Sequence, residues 1–386
     1  MELAKVAVVG SFETDLGVVT DRGPMALSVE ATLGAIADAG LRPGDVDGLI
    51  TCNSLVEPVM YHAEATAEYA GLHPGHCFSV GTGGGTTFTA LRYAAAAIQT
   101  GMANTVVVAM ADSMRSFMTR ERAMVVQSSS GHPLYEQPYG PTVPAYYALI
   151  ARAHMEAYGT TEAQFAEAMV SSRAWAQQNP TAQYRERVSV DDVLVSKPIA
   201  DPLKLLDCSI VSDGGAAVVL TTAERARDLR RRPVHLLGYG EGHAYEHISQ
   251  ANDLTTSAAV ISGQAAFREA DITPAEIDIA QLYDCFSPAL LIQLEDLGFC
   301  EKGEGGHFLQ SGATRPGGRL PVNTHGGMLS HCHPGNPGAM FGLTEALGQF
   351  WGEAGERQQD KVEHVLLHAQ GGIMSSHASL ILGCSA

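Results

Sequence analysis

One feature constrains this chain more than any other: it repeats itself. AIADAGLRPGDVDGLIT, Ala35 to Thr51, returns as AFREADITPAEIDIAQLYD, Ala266 to Asp284, at an offset of 231 residues that sets Pro43 on Pro274. At the same offset Ile36 answers to Phe267, Ala39 to Ala270, Val46 to Ile277 and Asp47 to Asp278. In both copies apolar residues recur at helical spacing before the Pro turn, and a short apolar run follows it, so each copy predicts helix, turn, strand. A first strand opens each copy, KVAVVG from Lys5 and VHLLGYG from Val234. One such unit is too thin to cover both faces of its sheet, so the two are expected to pack as stacked layers of an α/β fold.

The repeat places the remaining elements. Gly48 to Cys52, Cys77 to Val80 and Thr105 to Ala111 read as short buried strands, with an Ala-rich helix from Thr89 to Thr100 between the last two. From Ser113 to about Ala200 the pattern breaks into a segment richer in Arg, Gln, Ser and Tyr, with a long amphipathic stretch from Ala145 to Tyr158. DGGAAVVLT, Asp213 to Thr221, then returns to buried-strand composition. The expected division is an N-terminal half made of residues 1–112 and 201–232, an inserted loop domain over 113–200, and a C-terminal half over 233–386. ERARDLRRRP, Glu224 to Pro233, reads as a solvated linker helix between the halves.

Charge removes several functions at once. Lys and Arg number 24 against 42 Asp and Glu, a net charge of −18, which disfavours a nucleic-acid backbone or an anionic membrane as partner. The seven cysteines are widely spaced with no CxxC, so neither a disulfide framework nor a zinc ribbon is indicated. With no basic leader and no apolar run of membrane-spanning length, the expected location is the cytoplasm.

Four stretches carry chemistry. GTGGGTT, Gly81 to Thr87, is a Gly-rich strand-to-helix turn that offers backbone N–H groups to an anion, yet it matches neither GK[ST] nor GxGxxG. Tight helix packing and an active-site floor are its other readings. LYDCFSPALLIQLEDLGFC, Leu282 to Cys300, puts Tyr283 and Asp284 at the end of a buried strand, where α/β sheets bind ligands; a packed tyrosine and a helix cap are the plainer alternatives. LPVNTHGGMLSHCHPGNPG, Leu320 to Gly338, gathers Asn323, His325, His331, Cys332 and His333 among Gly and Pro. It lacks the HExxH or carboxylate of a zinc site, so no metal is expected, and a loop histidine there suits acid/base work. HVLLHAQGGIMSSHASLIL, His364 to Leu382, reads as a hairpin with His368 on its first strand and Gly371 and Gly372 in its turn, donors for an oxyanion.

In this order the four stretches resemble the thiolase superfamily over essentially the whole chain, most closely the sterol-carrier-protein-type thiolases and thiolase-like lipid-transfer proteins. YDCFSPALLIQLEDLGFCEKGEGG and LPVNTHGG are the most specific matches. The resemblance implies two βαβαβαββ halves layered αβαβα, with a loop domain inserted in the first. Set on the family pattern, the helix bearing Thr89, Ala90 and Leu91 puts Gly84 where thiolases carry the nucleophilic cysteine. Tyr283 replaces the histidine of H-D-C-F, while His333 keeps the histidine of G-H-P. The thiolase acid/base cysteine falls near His368 to Gln370, where there is none.

Without a thiol at position 84 no acyl-enzyme forms there. The Gly-Gly-Gly turn, Y-D-x-F and L-P-V-N-T-H-G-G together resemble the thiolase-like aldolases that shorten steroid side chains by retro-aldol cleavage of a β-hydroxyacyl-CoA, using two tyrosines. Tyr283 matches the first and His333 stands at the second. The expected catalytic pair is therefore Tyr283 as proton donor and His333 as base, with Gly84, Gly85, Asn323, His325, His368, Gly371 and Gly372 as oxyanion or positioning groups. Two other readings stay open: a Claisen-type acyltransferase using Cys332 as nucleophile, and a non-catalytic acyl-CoA or lipid binder. The resemblance also implies a homodimer, a small OB-fold, zinc-ribbon partner that completes the acyl-CoA site, and no cofactor held by this chain beyond the coenzyme A of its substrate.

Overall fold

The computed structural model describes residues 3–384. Nine strands, β1 (Val6–Glu13), β2 (Gly48–Thr51), β3 (His76–Ser79), β4 (Thr105–Ser113), β5 (Asp213–Thr222), β6 (Val234–His243), β7 (Ile279–Leu282), β8 (His364–Gly371) and β9 (Ser376–Gly383), run in the order β3-β2-β4-β5-β1-β6-β9-β8-β7. The repeat is visible in the pairing. β2 lies parallel to β4 and β7 parallel to β8, while β4–β5 and β8–β9 are antiparallel ladders. β1 and β6 close the halves and meet at a seam of two residue pairs, Ala7 with His235 and Val8 with Val234. The counterpart of β3 in the second half shrinks to a single parallel bridge between Ala280 and Val322.

Seven helices matter for the site: α1 (Pro24–Asp38), α2 (Thr86–Gln99), α3 (Val143–Tyr158), α4 (Glu162–Ala176), α5 (Ala259–Ala270), α6 (Ser287–Asp296) and α7 (Met340–Trp351). α1 packs on β1, β4 and β5, and α5 packs on β6 and β9. The duplication reaches atomic detail at those crossings. A Cβ on Gly10 would fall 2.7 Å from the Ala35 carbonyl and the Ala39 Cβ, and one on Gly238 would fall 2.2 Å from the Ala266 carbonyl and 2.8 Å from the Ala270 Cβ. Each half thus needs a glycine where its outer helix crosses its first strand. α2 and α7 touch strands of both halves, so they form the layer between the two parts of the sheet. A helix in that layer must be apolar nearly all round, and α2 buries Phe88, Ala90, Leu91, Ala94, Ala95, Ala97 and Ile98.

The segment between β4 and β5 carries α3 and α4 and returns to the core through Asp213, whose carboxylate is fully buried. It accepts the amides of Val19 at 2.9 Å, Arg115 at 2.7 Å and Ser116 at 3.0 Å, tying the first half to both ends of the segment. Asp213→Ala strands three donors, each worth about 1–3 kcal/mol when buried unpaired. We expect a loss of roughly 3–5 kcal/mol, read as a shift in the urea midpoint; a change under about 1 kcal/mol would contradict this role.

The region from Glu224 to Pro233 corrects an expectation. Helix spans only Ala223–Ala226, and two of the five arginines are engaged with the protein while Arg227, Arg230 and Arg232 are exposed. Arg225 donates to Thr105 Oγ1 at 2.6 Å, and Arg231 clamps Asp38 at 2.6 Å with its guanidinium over the Trp351 ring. Among the described residues, no helix is long and apolar enough to cross a membrane.

Candidate active site

β7 is four residues long and fully buried, and it ends at Leu282, so the next two side chains emerge at its carboxyl end. Tyr283 is aimed by its own backbone: Gln293 of α6 accepts the Tyr283 N–H at 3.1 Å and donates to its carbonyl at 2.8 Å. Asp284 is buried and accepts the Met328 amide at 2.7 Å, capping the one-turn helix Gly327–Ser330 and not the helix that follows it in sequence. Burial pushes the Asp284 carboxyl up to about 6.

The Tyr283 hydroxyl lies 3.1 Å from His333 Nε2, with the two rings edge to face at 5.8 Å between centroids. Burial raises the Tyr283 phenol above its usual value near 10, with the neighbouring Cys285 and Asp284 adding to the effect. Burial moves His333 the other way, down to about 4. At neutral pH the pair is therefore a neutral phenol beside a neutral imidazole. His333 Nδ1 meets Ser209 Oγ at 2.9 Å, and the His333 amide donates to Ser212 Oγ at 2.7 Å.

Gly84 lies directly against this pair. A Cβ there would sit 2.3 Å from Tyr283 Cζ, 2.4 Å from the Tyr283 hydroxyl and 2.4 Å from the Gln370 carbonyl. No side chain fits at position 84 while Tyr283 holds this place, and the phenol oxygen stands within bonding reach of where a thiol would begin. Gly85 caps α2, and the first helical amide, that of Thr86, donates back to the Gly83 carbonyl at 3.1 Å. The hairpin turn closes the floor: a Cβ on Gly83 would fall 2.8 Å from Gly371 Cα and 3.0 Å from the Gly372 amide. Two Gly turns from different halves thus meet backbone to backbone beside Tyr283.

Asn323 and His325, also singled out in the sequence, share with Tyr283 and Asp284 the lining of a small void. His368 lines the small void behind Tyr283, but Ser379 Oγ holds its Nδ1 at 2.8 Å and His377 holds its Nε2 at 3.1 Å. Strand register explains this, since His368 pairs with Ser379 across the hairpin. Asn323 adopts a left-handed conformation and accepts the Leu282 amide at 2.7 Å, so it finishes β7 where a full strand is missing. His325 Nδ1 meets Gln281 Oε1 at 3.2 Å and its ring packs on His331. His325 and His331 thus pack on each other while His333 meets Tyr283, and among the described residues no three metal-ligating side chains converge. Cys332 is fully buried, 3.1 Å from Ser212 Oγ, and burial drives its thiol far up from the usual range.

Sequence reasoning missed Tyr147, Ser209, Ser212 and Gln370. Tyr147 reaches in from α3, stacks on Phe286 at 4.2 Å and accepts from Gln370 Nε2 at 2.9 Å. A tyrosine on an amphipathic helix gives no sign of that. The serines sit in CSIVSDGG, where polar residues just before a buried strand were the available signal.

Comparison with known proteins agrees with this architecture. Residues 6–224 match the thiolase N-terminal domain family and residues 240–384 the thiolase C-terminal domain-like family. The chain is 37% identical over 393 residues to the 17-hydroxy-3-oxo-4-pregnene-20-carboxyl-CoA lyase of Mycobacterium tuberculosis, covering 98% of this chain and 99% of that one. It is 36% identical over 371 residues to an acetyl-CoA acetyltransferase of Methanothermobacter thermautotrophicus, covering 95% and 96%. Among solved structures, the Ltp2-ChsH2(DUF35) aldolase superposes with a TM-score of 0.86 at 35% identity, covering 98% of each chain. A sheet built twice at one offset, a Gly-rich turn heading the central helix and these matches together make the chain a member of the thiolase family.

Proposed function

We propose that this protein is a carbon–carbon lyase that cleaves a β-hydroxyacyl-CoA by a retro-aldol step without a covalent enzyme intermediate. The observation that carries the reading is Tyr283 filling the space a residue-84 side chain would need. Relatives of near-equal identity include a lyase and an acetyltransferase, so overall similarity does not choose between them. The site chemistry does, because a thiolase-type acyl transfer needs a nucleophile and glycine supplies none.

In the proposed reaction His333 Nε2 takes the β-hydroxyl proton, the Cα–Cβ bond breaks, and the electron pair passes into the thioester enolate. Backbone amides of Gly84 and Gly85 at the head of α2, with the Gly371–Gly372 turn beside them, stabilise the enolate oxygen. Tyr283 delivers a proton to Cα and regains one from the His333 imidazolium along their 3.1 Å contact. The products are a ketone or aldehyde and a shortened acyl-CoA, and the pair ends as it began. Asn323, His325 and His368 serve as supports for β7 and the hairpin and not as groups that touch substrate.

Residues 113–200 form the cap that shapes the acyl site in this reading, and a homodimer with a small OB-fold, zinc-ribbon partner of the DUF35 kind completes it in the cytoplasm. Two things support a partner: the likeness to the Ltp2-ChsH2(DUF35) aldolase and an uncovered part of the cap. The helix Arg120–Ser128 buries no residue, and Leu134 and Tyr139 are 74% and 87% exposed.

The test is to supply β-hydroxyacyl-CoA and β-ketoacyl-CoA thioesters with and without free CoA. CoA-independent release of a carbonyl compound is expected, and cleavage only of the keto substrates with CoA consumed would overturn the reading. Two further outcomes are expected. Cys332→Ala keeps full activity, checked by steady-state rates, because a thiol enclosed with a raised pKa is not a nucleophile at neutral pH. The acid limb of kcat/KM lies near the His333 value of about 4 and not near 6.5, since a depressed pKa keeps the base unprotonated until the pH falls that far.

A further inference from the structure

The loop that returns from the inserted segment to β5 supplies two serines to one imidazole. Ser212 fixes the backbone of His333 from both sides, accepting its amide at 2.7 Å and donating its own to the His333 carbonyl at 3.3 Å. Ser209 meets the ring itself at Nδ1, 2.9 Å away, and its amide donates to the Cys285 carbonyl at 2.9 Å, two residues after Tyr283. On the remaining edge a Cβ at Gly338 would lie only 2.7 Å from His333 Cδ2, so a side chain at 338 would collide with the ring in this position. Tyr283, His333, Ser209 and the Cys285 backbone close a circuit.

We propose that Ser209 is a positioning residue that holds His333 as the tautomer with a bare Nε2 facing Tyr283. The proposal rests on the reading of Tyr283 and His333 as the acid/base pair. A neutral imidazole has one N–H, and a phenol that donates to Nε2 requires that proton to be on Nδ1. Nδ1–H then needs an acceptor; the Ser209 hydroxyl is the side chain that meets Nδ1, and the Ile210 backbone also hydrogen-bonds the imidazole. When Nε2 takes the substrate proton both ring nitrogens become donors, and Ser209 keeps one of them satisfied throughout. The serine also couples the end of the inserted segment to the base, because its backbone is tied to the turn that carries Tyr283.

Two measurements test this. Nitrogen-15 NMR of histidine-labelled protein, with His333 assigned by its loss in His333→Asn, should show a neutral Nδ1–H ring in the wild type and a changed tautomer in Ser209→Ala. Loss of a partner that orients a catalytic imidazole typically costs 10- to 100-fold, so kcat of Ser209→Ala should fall by roughly that factor with KM within about twofold. Ser209→Thr keeps the hydroxyl and should recover most of the rate, which a packing defect would not allow. Ser209→Asp should move the acid limb of the rate profile up by about one unit or more, because a carboxylate at Nδ1 favours imidazolium. An Nε2–H tautomer in the wild type, or unchanged kcat in Ser209→Ala, would overturn the proposal. If the wild type cleaves no β-hydroxyacyl-CoA, the lyase reading fails on that assay while the NMR still decides the tautomer.

Discussion

Gly84→Cys is expected to destroy activity and not to restore a thiolase. The new Cβ would fall 2.3 Å from Tyr283 Cζ and 2.4 Å from the Gln370 carbonyl, inside any real contact distance. The backbone carbonyl belongs to β8 and has little freedom, so the Tyr283 ring must give way. Overpacking of this kind costs about 1–3 kcal/mol of stability. The larger effect is on rate: swinging the ring breaks the contact to His333, and misplacing a catalytic group by about 1 Å costs on the order of 10²-fold. We expect kcat/KM for retro-aldol cleavage to fall by at least about that factor, with no CoA-dependent thiolysis of β-ketoacyl-CoA. Thiolysis by the Gly84→Cys protein would show that Tyr283 yields easily and that the two chemistries are one substitution apart.

Tyr283→Phe is the companion experiment, with the opposite balance of stability and rate. The ring remains packed over Gly84 and only the hydroxyl is lost, so unfolding free energy should change by about 1 kcal/mol or less. Acid/base groups contribute about 10²–10⁴-fold, and kcat should fall within that range. His333→Ala should fall similarly. Because both groups move the same protons, the double variant should be scarcely worse than either single one, as residues acting as a unit are strongly non-additive. A Tyr283→Phe protein within a few fold of wild type, with its urea midpoint unchanged, would remove the phenol from the mechanism.

The duplication was legible because its markers are local. A Pro turn, helical alanines before it and a short apolar run after it appear at one offset, and the structure places α1, α5, β2 and β7 on those same residues. The halves' glycines were less legible, since Gly10 and Gly238 matter through helices some 25 residues away in sequence. At the site, Tyr283 and His333 could be paired on paper only through family resemblance, because nothing in their sequence spacing brings them to 3.1 Å. His368 misled for the same reason in reverse. A histidine on a strand near a Gly turn suggests a cleft, whereas the hairpin register hands both its ring nitrogens to Ser379 and His377. The segment between the halves looked like a solvated helix by composition, yet Arg231 is paired, because Asp38, Glu353 and Trp351 lie far off in sequence. Serines 209 and 212 were invisible as partners of His333 until the loop that carries them was seen against it.

The central claim is that carbon–carbon cleavage proceeds here with no bond between enzyme and acyl group. It is tested most directly by mixing the protein, with any small OB-fold partner, and a β-hydroxyacyl-CoA labelled in the carbons nearest the thioester, then quenching in acid within one turnover. Label should appear in the shortened acyl-CoA while the protein, weighed intact by mass spectrometry, carries no acyl adduct. A stoichiometric adduct on a cysteine, formed and discharged at the rate of turnover, would contradict the account and return the chain to covalent thiolase chemistry.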